Sequence, residues 1–290
     1  MYRTCALIMC ALAGATLNPA PAHALPATAS EARLSHITVK SVGHGSPIVL
    51  IPGLASPAAV FDGLAAKFGP GHRLIFVQVN GFAGSAPAAA PLDNLLPSAV
   101  DELAGWLAAN HVEKPAVIGH SMGGLMTLML AKRHPAAAGK LMIIDALPFY
   151  GMLFGPSATP DAVRPIVEQM RAGLVSGTSP AQVPPHMSNT DAGKAKILAW
   201  LKTSDPKTVG EALVEDATTD VRPDLNAIPQ PVTVLYAVPS PENKAMIDGL
   251  YGAAYKSLAG AKLVGVDGSE HFIMLDQPDA FAAAVADFLK

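Results

Sequence analysis

An apolar run, Pro115-Ala116-Val117-Ile118, stops at Gly119-His120-Ser121-Met122-Gly123, and a helix-patterned run from Leu125 to Arg133 follows at once. That junction constrains the fold more than any other segment. A strand has to become a helix almost without a connecting loop. Only glycine leaves room for so sharp a turn, because a Cβ at 119 or 123 would meet the neighbouring strand or helix. The turn holds the Ser121 hydroxyl clear of the backbone, at a helix N-terminus whose partial positive charge favours a developing anion. A serine with glycine two residues to either side, set between strand and helix, is the nucleophile-elbow pattern. A glycine-rich helix start with an N-cap serine would account for the glycines, but not for strand, turn and helix together.

Similar alternation runs through the rest of the chain. Strand-like segments are 36–40, 48–51, 74–79, 116–118, 141–144, 232–236 and 262–266. The first alternates and precedes Gly43-His44-Gly45-Ser46, which reads as an edge hairpin; the later ones are continuously apolar, as strands buried on both faces are. Amphipathic helical patterns occupy 57–68, 95–109, 124–134, 242–258 and 278–289. Ser56 as N-cap and Pro57 at the first position give the first of these a clean start signal. Such alternation predicts an α/β fold with a mostly parallel central sheet and helices on both faces. From Ala146 to Gln230 the rhythm breaks and only helices are expected: one opened by Thr159-Pro160 and stopped at Gly177, one over 192–201, and one opened by Asp205-Pro206. The expected organisation is therefore a core of 25–145 and 231–290, with 146–230 inserted as a helical cap over the carboxyl edge of the sheet.

The 290 residues are half apolar and only 15% charged, enough for one large domain with an insertion. The first 24 differ in kind. Arg3 is their only charge, Cys5 to Leu17 is uncharged and too short to span a bilayer, and Ala22-His23-Ala24 is an A-x-A site. This predicts a signal peptide cleaved after Ala24 and a periplasmic or secreted protein. Both cysteines, Cys5 and Cys10, would leave with it, which excludes disulfides, thiol nucleophiles and thiolate metal sites. Losing Arg3 takes the net charge from −3 to −4, with 19 basic against 23 acidic residues. Nothing in that weak acidic balance predicts nucleic acid or anionic lipid as a partner, and no later stretch is apolar enough for stable membrane insertion. No metal motif and no glycine-rich phosphate loop after a strand occur, so no cofactor is implied.

A serine hydroxyl needs a base to take its proton and a third group to orient that base. Of the nine histidines, His271 lies in Gly268-Ser269-Glu270-His271-Phe272, between the last strand and the last helix, a position that returns it to the sheet edge where Ser121 points. His134 closes the helix after the elbow, His120 points away from the elbow, and His186 falls in the inserted segment. From about His36 to Lys290 the chain resembles α/β-hydrolase-fold serine hydrolases. The likeness lies in Gly45-Ser46-Pro47-Ile48-Val49-Leu50-Ile51-Pro52-Gly53, in Asn80-Gly81-Phe82-Ala83-Gly84, in the elbow and in the His271 loop. The resemblance implies acyl transfer to water, with Ser121 as nucleophile and His271 as general base and then acid. It also implies oxyanion donors at the backbone N–H groups of Met122 and Leu54, Pro52-Gly53 standing where His-Gly is usual.

The resemblance leaves the third member open. The family usually places an Asp just after the strand that is 232–236 here, where this chain has Ser240; Glu242 is the nearest carboxylate. Another branch takes its acid from the end of the preceding strand, where Asp145 stands. Asp145 is the preferred reading, with capping of the next turn as its competing role, and Glu242 is the alternative. Phe149 and Tyr150, in an apolar stretch with Met152, Leu153 and Phe154, serve either as packing or as lining for a small-molecule ester with an apolar acyl group. A same-fold amidase or peptidase, a perhydrolase, and a catalytically silent binding protein are the competing functions. A peptidase would call for an acidic clamp for a substrate amine in the inserted segment, and none is evident in the sequence.

Overall fold

The computed structural model describes residues 29–155, 157–179 and 182–290; the expected signal peptide, with both cysteines, lies outside them. Eight strands form one sheet. They are β1 (Ser30–Arg33), β2 (Ile37–Val42), β3 (Ser46–Ile51), β4 (His72–Val79), β5 (Ala116–His120), β6 (Lys140–Ile144), β7 (Val232–Val238) and β8 (Lys262–Asp267). Their spatial order is β1-β2-β4-β3-β5-β6-β7-β8, antiparallel at the first two pairings and parallel from β4 onward.

The continuous apolar runs follow from burial on both sides. Along β3, Val49 and Ile51 join one core cluster while Ile48 and Leu50 join another. The same alternation divides Leu141 and Ile143 from Met142 and Ile144 on β6. Helix α1 (Asp62–Phe68) contributes to the second cluster, whereas α2 (Leu95–Ala109) and α3 (Met122–Arg133) cover the first.

Between β6 and β7 no strand occurs among the described residues. Helices α4 (Pro160–Ser176), α5 (Asp191–Thr203) and α6 (Pro206–Thr218) fill this stretch. Thr159 and Asp205 cap α4 and α6 by accepting from the N–H groups of Ala162 and Thr208, and Gly177 ends α4 in the left-handed conformation. These helices touch the loops at the carboxyl ends of the strands. The Asp205 N–H donates to Gly81 O (2.7 Å), and the Glu215 carboxylate caps α2 by accepting from Leu95 N and Leu96 N, both at 2.7 Å. After β7 come α7 (Pro241–Ala254), a single turn α8 (Ile273–Asp276), and α9 (Pro278–Leu289), whose Phe281 and Val285 join the second cluster.

Two expectations fail. The β2 strand does not form a hairpin with β3; β4 lies between them, and β2 pairs with β1 and β4. The Gly43–Gly45 connection instead passes under the start of β4, with both glycines at positive φ and the His72 and Gly71 carbonyls where side chains would go. The first helix also starts late. A 3-10 turn, Ala58–Phe61, precedes α1, and the Ser56 hydroxyl donates to Leu54 O instead of capping a helix.

At the elbow, a Cβ on Gly119 would lie inside the Gly123 carbonyl, and one on Gly123 would collide with the carbonyls of Ile51 and Pro52. Both obstacles are backbone and cannot swing aside. Gly119→Ala and Gly123→Ala are each expected to abolish soluble folded protein or lower the melting temperature severely. An alanine variant melting like the parent in a thermal scan would contradict this packing.

Candidate active site

The β5 strand ends at His120, and Ser121 takes φ 54° and ψ −125°, a conformation that costs a non-glycine residue energy. The turn is pinned on both sides. The Ser121 N–H donates to Ile144 O at the end of β6 (2.8 Å), and the Ser121 carbonyl accepts from Gly124 N (2.7 Å). Half-buried at the start of α3, the Ser121 hydroxyl has no hydrogen-bond partner among the described residues. The Pro52–Leu54 turn lies directly against it, since a Cβ on Gly53 would stand 3.0 Å from the Ser121 Cβ. The backbone N–H groups of Leu54 and Met122 make no hydrogen bond among the described residues. Both unpartnered donors belong to residues next to this contact, Leu54 following Gly53 and Met122 following Ser121.

Asp145 follows β6 at φ 46°, its N–H held by Leu235 O (2.7 Å). One carboxylate oxygen, Oδ1, accepts from Ala237 N (2.9 Å) and from the Tyr251 hydroxyl (3.0 Å). The other, Oδ2, lies 2.6 Å from His271 Nδ1, with both side chains largely buried. Burial raises the Asp145 carboxyl most. The bond and charge of His271, with the donors on Ala237 and Tyr251, outweigh it and hold the group below the usual carboxylate range. A carboxylate at that distance assigns the proton to Nδ1 and leaves the Nε2 lone pair free to accept one.

His120 braces this arrangement from beneath. Its ring is fully buried, 4.7 Å from the His271 ring, and its Nε2 lies 3.0 Å from the His271 carbonyl. Burial first, then the charge of His271, lowers its pKa to about 3. It is therefore neutral and donates from Nε2, while Nδ1 is left buried without a partner.

Residues 48–284 match the alpha/beta hydrolase family. The chain belongs to that family. Among its relatives is a pimeloyl-[acyl-carrier protein] methyl ester esterase of Nitrosomonas europaea, 25% identical over 211 residues, which span 70% of this chain and 81% of that one. An N-formylmaleamate deformylase of Pseudomonas putida is 24% identical over 248 residues, 85% of this chain and 90% of that one. Of the solved structures, a thermophilic esterase from Thermogutta terrifontis superposes with a TM-score of 0.70 at 18% identity, over 91% of this chain and 98% of that one.

Within this alpha/beta hydrolase the other residues singled out from sequence take different places. Glu242 is exposed in the first turn of α7 and makes no bond to His271; the carboxylate that His271 meets is Asp145. Of the two roles open to Phe149, packing and lining, its surroundings favour packing. It is fully buried with Val163, Val167, Val214 and Ala217, and the Arg222 guanidinium sits 4.5 Å above its ring. Tyr150 keeps 38% of its surface exposed. His134 bonds Asp101 (2.7 Å), and His186 bonds Glu270 (3.2 Å). Among the described residues no group of three metal-ligating side chains converges.

Sequence reading missed three residues. The brace from His120 runs to a backbone carbonyl 151 positions away, and Tyr251 reaches Asp145 from α7, so neither leaves a local trace. Asp216 sits in Val214-Glu215-Asp216-Ala217, which reads as an ordinary helical stretch, yet it is buried. Burial pushes its pKa up to about 7, with the charge of His271 opposing weakly.

Two predictions follow from these placements. Asp145→Asn destroys the acceptor that fixes the His271 tautomer and is expected to lower ester turnover roughly 10³–10⁴-fold, while Glu242→Gln is expected to stay within about twofold of the parent. Steady-state kinetics showing the reverse order would overturn the assignment. Asp216 keeps a proton in the folded state, between its usual 3.8 and about 7, that the unfolded chain has already released. Stability therefore falls as pH rises through that window. Asp216→Asn is expected to raise the melting temperature near pH 8 and to leave it unchanged near pH 4; a pH-independent difference would contradict the burial.

Proposed function

We propose that this chain is an exported serine hydrolase that cleaves carboxylic esters of apolar acyl groups, with 146–230 as a cap over its site. The observation that carries the reading is the 2.6 Å bond between His271 Nδ1 and Asp145, formed beside the Ser121 elbow. Nε2 of His271 takes the proton as Ser121 Oγ attacks the ester carbonyl carbon. The developing oxyanion is met by the free N–H groups of Leu54 and Met122, and the α3 N-terminus adds its partial positive charge. Imidazolium at 271 then passes the proton to the departing alkoxide, leaving an acyl-enzyme on Ser121. Water, deprotonated by the same nitrogen, releases the acid and regenerates the serine. Asp145 stays ionised throughout, which its three donors support. Relatives named for a methyl ester and for a formyl group support small acyl transfers of this kind. Export rests on the leader pattern of residues 1–24.

Short-to-medium p-nitrophenyl esters are expected to be cleaved by the mature chain, and a fluorophosphonate probe is expected to label it. Ser121→Ala should abolish both. Hydrolysis persisting undiminished in that variant would end the proposal, and failure of the probe to label the parent chain would favour a silent binding protein.

A further inference from the structure

Three consecutive backbone N–H groups of the loop after β8 end on Asp276 or on the inserted segment. Glu270 N donates to Asp276 Oδ2 (3.0 Å), His271 N to His186 O (3.1 Å) and Phe272 N to Met187 O (2.9 Å). Asp276 closes the single turn α8 and ties the two pieces together. Its Oδ1 accepts from the Ser188 hydroxyl (2.5 Å), and its Oδ2 accepts from Asn189 N (3.2 Å) as well as from Glu270 N. The Asn189 side chain adds a further bond, donating from Nδ2 to Gly268 O (2.7 Å). Residues 186–189 therefore lie along the loop as a strap. The strap is itself held in place. Ser188 is buried, its hydroxyl accepting from Thr190 N (3.2 Å), and His186 takes φ 65°, a costly conformation for a non-glycine residue. From α5, Trp200 packs on Phe272 (5.9 Å), whose ring also meets those of His120 (4.7 Å) and His271 (5.4 Å).

From these bonds we infer that Asp276 is a positioning residue, through which the inserted segment fixes the imidazole at 271. The His271 backbone is gripped at both ends: His120 Nε2 donates to its carbonyl from beneath, and its N–H is held by the strap. A residue pinned at one end can swing about that bond; pinned at both, it keeps its ring against Asp145. A misplacement of about 1 Å at a reacting group costs about 10²-fold in rate. A carboxylate fits the joint because its two oxygens accept from three donors at once, two of them backbone N–H groups that would otherwise lose a partner. The inserted segment is then part of what orients the base, beyond covering the site, an inference that rests on the ester-hydrolase reading above.

The test joins kinetics on p-nitrophenyl butyrate to proton NMR of the mature chain, using variants shown to be folded by circular dichroism. The His271 Nδ1 proton, bonded to Asp145 at 2.6 Å, is expected far downfield of the amide signals and is identified by its loss in Asp145→Asn. Asp276→Ala is expected to lower kcat about 30-fold with KM within about threefold, and to lose that signal. Asp276→Asn is expected to keep the signal and to stay within about fivefold of the parent in kcat, because its oxygen still accepts from the two N–H groups and its amide can donate to the Ser188 hydroxyl. Ser188→Ala cuts the strap side alone and is expected to lower kcat about fivefold. Parent-like kcat and signal in Asp276→Ala overturn the inference and leave the ester-hydrolase reading standing. An equal loss in Asp276→Asn does the same, and so does a parent-like Ser188→Ala. A parent chain that cleaves no ester ends the ester-hydrolase reading, while the signal in the variants still decides whether Asp276 holds the imidazole. Should Asp276→Ala fail to fold, Ser188→Ala and Asp276→Asn decide by the same criteria.

Discussion

Everything at the site depends on three pieces of backbone approaching more closely than side chains allow. Gly119 and Gly123 close the elbow on itself, Gly123 meets the end of β3, and Gly53 rests against Ser121 and His120. That contact brings the Pro52–Leu54 turn against Ser121, with the N–H groups of Leu54 and Met122 unpartnered on either side of it in sequence. It also forces Ser121 into a costly conformation, which the bonds from Ile144 and Gly124 hold in place. The elbow is a product of sheet packing: β3 and β6 flank β5 directly, so the ends of both neighbouring strands reach the turn.

A second consequence of the strand order is that Asp145 and His271 arrive from distant parts of the sequence and meet over β6 and β7. Asp145 leaves β6 and is held by the backbone of β7, through Leu235 O and Ala237 N. His271 comes from the loop after β8 and is held by His186 O on one side and by the His120 ring on the other. The imidazole has little freedom left. A neutral, buried His120 suits this place, because a charged ring there would repel any positive charge on His271.

Much of the fold is legible in the sequence because its strongest signals are local. Continuous apolar runs mark strands covered on both faces, and Thr159, Gly177 and Asp205 mark helix ends by side-chain or backbone chemistry confined to one turn. What was illegible is non-local or weakly apolar. The β1 strand, Ser-Glu-Ala-Arg, has no apolar pattern to announce it and exists as an edge beside β2. The pairing of β2 with β4 depends on which strand fills the space beside it, which no turn sequence encodes. At the site, the elbow declares Ser121 and the loop order singles out His271. The choice between Asp145 and Glu242 turns on which carboxylate meets Nδ1, a distance that no spacing supplies. Phe149 stayed open between packing and lining because an aromatic at the start of an inserted segment looks the same whether it packs or binds; its cluster with α4 and α6 favours packing.

Asp145 and Asp216 show how far environment separates two residues of one type. Both are largely buried, and the charge of His271 acts on both. Asp145 receives three donors, so desolvation is more than offset and the carboxylate stays charged across the neutral range. Asp216 receives none, so desolvation prevails and its proton is retained to about pH 7. One negative charge, on Asp145, is therefore permanent and bound to the histidine, and a second, on Asp216, becomes fully negative only as pH rises through about 7. An imidazolium at 271 would be stabilised mainly by the first, because the second is only partly ionised at neutral pH and makes no hydrogen bond to the ring. The difference between the two thus follows from the count of donors around each carboxylate.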